Sequence, residues 1–146
     1  MKKIEYKRDS RSPVPKNATT SKVMSAIKAK ETGPEIMLRK ALFKNKLLGY
    51  RKNVKSLPGK PDVVFTKKRV VIFVNGCYWH GCKVCGWKPP KHNTSYWAEK
   101  ISKNRQRDAK KILGLRALGY KVIIIWDHDL KDDLTKVIDN VAKQLQ

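Results

Sequence analysis

The stretch that most restricts what this chain can become is Pro61 to Cys85, PDVVFTKKRVVIFVNGCYWHGCKVC. Its two apolar runs, Val63-Val64-Phe65 and Val70 to Val74, have the length and β-branching of buried strands. Lys67-Lys68-Arg69 is too polar for the interior and fits the turn between them. Asp62 opens the first strand. The second strand runs into a loop holding all three cysteines, two aromatics and a histidine. Strands fix a carboxylate in space, and a cysteine loop can be fixed by a metal.

Cys77, Cys82 and Cys85 are spaced C-x4-C-x2-C. A CxxC pair is the spacing zinc uses, and the third cysteine is near enough to join it. An odd cysteine count without an export signal argues against a disulfide framework. Iron–sulfur ligation would need a fourth cysteine. Zinc takes four ligands, and His80, His92 and His128 are the only histidines. His128 follows the apolar run Lys121 to Trp126, level with the entry to the cysteine loop. It completes a Cys3His set, with His80 as the alternative ligand. Such a closed site has no open position, so its role is to pin the loop.

A chain of 146 residues is read as one domain, and 40% hydrophobic with 32% charged residues excludes wholesale disorder. The apolar runs are too short to cross a bilayer. The N-terminus has no apolar signal region, so the cytosol or nucleoid is the expected compartment. The formal net charge of +22 suits a polyanion, and nucleic acid is the expected partner. An anionic membrane surface fits less well, because no amphipathic helix stands apart from the rest.

Residues 1–18 read as a flexible basic arm and 19–146 as the folded domain. A first helix is expected at about Ser21 to Lys30, with Met24 and Ile27 on one face. A second starts at Pro34-Glu35 and runs to about Leu48, burying Met37, Leu38, Ala41, Leu42 and Leu48. Tyr50 to Val54 is a short strand. A long helix, about Ser95 to Leu118, buries Trp97, Ile101, Ile112, Leu115 and Leu118. Asn104 and Asp108 lie on that same stripe. Polar groups there need partners, either in an internal network or in positioning a site. Lys121 to Trp126 reads as a central strand, parallel to a hairpin strand because a helix crosses over between them. A last helix spans about Lys131 to Leu145. The expected architecture is α/β, a mixed central sheet flanked by helices.

An aspartate at a strand start, such as Asp62, binds Mg²⁺ in many nucleases. Those enzymes usually also carry an acid and a lysine on the next strand, and Val70 to Val74 has neither. With His128 given to the metal, His80 is free to take a proton from water. Tyr78-Trp79 in a basic protein suits base stacking or insertion, the alternative being packing beside the zinc.

In combination and order, LPGKPDVVF, VIFVNGCYWHGC, YWAEKISKNRQRD and LGYKVIIIWD resemble the very short patch repair (Vsr) endonucleases, over about Thr19 to Leu130. The resemblance implies a restriction-endonuclease-like fold, a structural Zn²⁺ and a catalytic Mg²⁺. It implies a monomeric enzyme that nicks double-stranded DNA 5′ of the thymine in a T:G mismatch left by 5-methylcytosine deamination. It also implies a functional link to a cytosine-C5 methyltransferase and to mismatch-repair proteins. By position, Asp62 matches the family's metal-binding aspartate, His80 its catalytic histidine, and Glu35 an acidic position near the active site. Cys77, Cys82, Cys85 and His128 fall at the zinc positions. Tyr78 and Trp79 match aromatics inserted into DNA, and Met24 and Ile27 an apolar wedge. Val74 stands where the family can carry threonine and keeps the main-chain carbonyl that ligates Mg²⁺. Cys82 replaces a histidine, His128 a cysteine, and the loop is one residue longer before Cys85. A less specific restriction-type nuclease and a zinc-stabilised DNA-binding module without catalysis are the competing expectations.

Overall fold

The computed structural model describes residues 17–19 and 32–146. The expected first helix, with Met24 and Ile27, lies outside them. Four helices and four strands follow in the order α1 (Gly33–Lys44), β1 (Arg51–Lys52), β2 (Val63–Phe65), β3 (Val70–Asn75), α2 (Thr94–Ala117), β4 (Lys121–Trp126), α3 (Asp127–Asp132) and α4 (Leu134–Gln144). The strands form one sheet ordered β1-β2-β3-β4, antiparallel up to β3 and parallel between β3 and β4.

Alternation along the strands divides the core into two layers. Val63, Phe65, Val70, Ile72, Ile123 and Ile125 face α1, α3 and α4, where they meet Leu38, Leu42, Leu130, Ile138 and Val141. Val64, Val71 and Phe73 face α2 and pack on Leu115. Helices therefore cover both faces of β3, which explains its near-continuous apolar sequence.

Several expectations need correction. Among the described residues, β4 lies at the sheet edge, and β2 and β3 are the inner strands. An apolar run reports that its faces are covered, not that both its edges are paired. The helix expected to reach Leu48 ends at Lys44. The Asn45 side-chain amide donates to the Ala41 carbonyl at 2.8 Å, and Lys46 turns to a φ of 58°. Leu48 is consequently 58% exposed rather than buried; Met37 and Leu118, also expected in the core, are exposed too. Finally, the last helix is two. Asp133 leaves helical geometry, with φ −153° and ψ 79°, and its side chain accepts the Lys136 N–H at 3.0 Å to start α4.

Candidate active site and metal centre

Asp62 sits in the ladder just before β2. Its N–H donates to the Ile72 carbonyl and its own carbonyl accepts from the Asn53 N–H, both at 3.1 Å. Its carboxylate accepts the Val74 N–H at 2.7 Å. The backbone is thus held from both sides, and the side chain is tied to the end of β3. Burial pushes the Asp62 carboxyl up to about 6; the Val74 N–H opposes this, Glu35 adds to it, and Lys111 and His80 oppose. Glu35 comes from the first turn of α1, where Thr32 Oγ1 accepts its N–H at 3.4 Å, and it is only 4% exposed. Asp62, Glu35, Val74, Asn75, His80 and Lys111 share one cleft of about 670 Å³. Oxygen donors on rigid elements, with a raised carboxyl among them, suit a hard divalent cation.

His80 enters from the cysteine loop, which α2 grips at three successive residues. Asn104 Nδ2 donates to the Trp79 carbonyl at 2.9 Å, and Arg105 Nη2 donates to the Gly81 carbonyl at 2.6 Å. Between them, His80 Nδ1 lies 2.6 Å from Asp108 Oδ2. The other Asp108 oxygen meets Lys111 Nζ at 2.9 Å. Burial works against the Asp108 charge, but the His80 and Lys111 hydrogen bonds outweigh it and hold this carboxyl below its ordinary value. An ionised partner requires Nδ1 to carry the proton, which leaves Nε2 as the basic nitrogen. Asn104 and Asp108, expected on the buried stripe, therefore reach the loop.

The four proposed metal donors converge. Cys77, Cys82 and Cys85 sulfurs and a His128 ring nitrogen all lie within 4.8 Å of one another. His128 Nδ1 stands 3.1, 3.7 and 3.4 Å from the sulfurs of Cys77, Cys82 and Cys85. Tetrahedral zinc with bonds of about 2.3 Å spaces its sulfurs by roughly 3.8 Å, so one ion can satisfy all four. The opposite ring nitrogen, Nε2, faces Asp129 Oδ1 at 3.2 Å, a contact that orients the imidazole toward the sulfurs. Burial and the Asp127 carboxylate, 2.6 Å from its sulfur, push the Cys77 thiol up.

Tyr78 and Trp79 are not sealed in the core. Tyr78 is 37% exposed and Trp79 half-buried. They pack edge-on at 5.0 Å, and Trp97, 9% exposed, holds them at 5.9 and 5.5 Å. The pair is presented from the loop that carries His80, braced by Trp97.

Residues 13–86 match the family described as DNA mismatch endonuclease Vsr. The chain belongs to the Vsr family. It is 46% identical to the type II nicking enzyme V.NmeAIP of Neisseria meningitidis serogroup A, over 78% of this chain and 83% of that one. It is 41% identical to the DNA mismatch endonuclease Vsr of Escherichia coli K12, over 78% and 72%. Identity to V.XorIIP of Xanthomonas oryzae is 40%, over 75% and 80%. This Vsr family member is therefore a DNA endonuclease of the mismatch or site-specific nicking kind. Among its described residues no helix is long and apolar enough to cross a membrane.

Nothing in the sequence of this Vsr protein singles out Arg105 or Lys111. Both sit among many basic residues of α2, and only tertiary contact separates them from solvated lysines and arginines. Asn75 does carry a signal, since it is an amide ending an otherwise apolar strand. It is 4% exposed and lines the cleft.

Proposed function

We propose that this protein nicks DNA 5′ of the thymine in T:G mismatches, using Mg²⁺, from a single restriction-endonuclease-like domain spanning residues 19–146. The observation that carries the reading is the meeting of Asp62 and His80 in one cleft, the second held by Asp108. Asp62, with the Val74 carbonyl, would hold the magnesium ion, and Glu35 adds negative charge beside it. When bound, the ion neutralises charge on the scissile phosphate and lowers the pKa of a coordinated water. His80 Nε2 takes the proton from the attacking water, while Asp108 fixes the ring and stabilises its cationic form. The Cys3His cluster, loaded with zinc, pins the loop that carries His80. Tyr78 and Trp79 would insert beside the mismatch, where unstacking is cheapest. The absence of an acid–lysine pair on β3 fits a site whose second metal ligand is a main-chain oxygen.

A nicking assay on a T:G duplex beside a T:A duplex of the same sequence, with and without Mg²⁺, tests this. Cutting of the T:G strand alone, and only with the metal, is the expected result. Equal cutting of both duplexes would instead support a less specific, restriction-type nuclease; the Neisseria and Xanthomonas relatives are named type II nicking enzymes. Binding without cutting would reduce the chain to a DNA-binding module. Within the site, His80→Ala is expected to slow nicking by about 10²- to 10⁴-fold. Asp108→Asn should cost about 10²-fold at unchanged DNA affinity, since it removes the charge behind the base but keeps the shape. Full activity in Asp108→Asn would refute its role.

A further inference from the structure

A second depression adjoins the catalytic cleft. It encloses about 1010 Å³ and shares His80, Gly59 and Lys111 with the cleft as a common ridge. Its far wall is one face of α2, carrying Arg107, Lys110 and Gly114, with Pro58 opposite. The one carboxylate in the lining, Asp108, is already paired to His80 and Lys111. Among the described residues, the side chains of Arg107 and Lys110 have no ion-pair or hydrogen-bond partner. Cations that partner nothing at the rim of a groove are available to an anion.

Gly114 is informative because packing does not demand it. A β-carbon there would meet Pro58 only at 3.5 Å, ordinary contact. Yet glycine inside a helix costs about 1 kcal/mol relative to alanine. What the glycine provides is an open floor. Beside it Leu113, 67% exposed, offers an apolar surface. Unpaired cations above an apolar, uncrowded floor fit a sugar–phosphate chain, with charge on its phosphates and carbon on its sugars. At the ridge, a β-carbon on Gly59 would run into the methylene stem of Lys111, so glycine there lets the lysine lie flat.

We infer that this groove is a second backbone subsite, in which Arg107 and Lys110 hold a phosphate of the cut strand on one side of the nick. The inference rests on the nuclease reading above: a strand with its scissile phosphate beside His80 continues over the shared ridge into the groove.

The test measures binding of the full chain to a T:G duplex without Mg²⁺, across salt concentrations. Single linkages flanking the cut are replaced by uncharged methylphosphonate, one at a time. In the parent protein, one or two linkages on a single side of the nick should weaken binding. The double variant Arg107→Gln with Lys110→Gln should bind the unmodified duplex at least 10-fold more weakly and lose sensitivity at those linkages. Its salt slope should fall by about 1 per cation removed. Gly114→Leu, which fills the floor without altering charge, should also weaken binding while raising or preserving the melting temperature. Lys67→Gln with Lys68→Gln removes equal charge from the turn at the far end of β3 and should leave the methylphosphonate profile unchanged. An intact profile in the Arg107/Lys110 variant would overturn the subsite, as would an equal loss in the turn variant. If the parent protein binds no DNA at all, the nuclease reading itself fails, a distinct result.

Discussion

Asp62→Asn is expected to lower the nicking rate by at least ~10³-fold while leaving affinity for the mismatched duplex intact, about 4 kcal/mol of lost transition-state stabilisation. Asparagine keeps the shape and can still accept the Val74 N–H, but it cannot balance the charge of a divalent ion. The same substitution carries a second, opposite signature. Burial raises the Asp62 carboxyl from 3.8 to about 6, so the folded metal-free protein bears the cost of an ionised buried group above pH 6. That cost shrinks as the pH falls from 6 toward 3.8 and is gone below it. Asparagine removes it. Without Mg²⁺ the variant should therefore be more stable than the parent at pH 8, by about 1–3 kcal/mol, with the gap closed by pH 3.5. Single-turnover nicking and thermal melting at the two pH values read both effects. A variant that still nicks removes Asp62 from the reaction; one that melts like its parent at pH 8 removes the buried-charge cost.

The second large effect concerns the cysteine loop. Purified protein should contain one zinc per chain, and a strong chelator or Cys82→Ser should lower its melting temperature by roughly 6–20 °C and abolish nicking. Between β3 and α2 the loop has no regular secondary structure, only turn hydrogen bonds such as Cys82 N–H to the Cys77 carbonyl at 2.9 Å and Trp87 N–H to the Cys82 carbonyl at 3.2 Å. Zinc contributes roughly 10–16 kcal/mol in small domains that fold around it. Here the sheet and helices keep their own cores, so a share on the order of 3–5 kcal/mol is expected, near 2–4 °C per kcal/mol. Activity should fall further than stability, because His80 lies three residues from Cys77. Since the Cys77 thiol is pushed up and must lose its proton to bind metal, zinc should be released on acidification. Stable, active protein without zinc would contradict the assignment.

The parts of this molecule written in local pattern were legible. The β-branched runs marked β2 and β3, Pro34 and Glu35 marked the start of α1, and the apolar stripe marked α2 nearly to its ends. The Cys3His cluster was legible because three of its four members lie within nine residues of one another and few histidines compete for the fourth place. What failed depended on what lies beside an element rather than within it. β4 has the apolar run of an inner strand but the neighbours of an outer one. The stop at Asp133 hid in a helix-favouring stretch, although an aspartate before an apolar run is a readable cap. The grip of α2 on the loop was out of reach, because Asn104, Arg105 and Asp108 find partners 24 to 28 residues away.

One property of the metal centre bears on how the chain matures. Three ligands lie in the loop after β3, but His128 lies 51 positions beyond Cys77, at the start of α3. During synthesis the Cys3His set stays incomplete until residue 128 has emerged and β4 has docked against β3. Zinc uptake by this cluster would thus be a late checkpoint: a ribosome-stalled chain ending before residue 121 has the cysteines but lacks the imidazole that would close the cage.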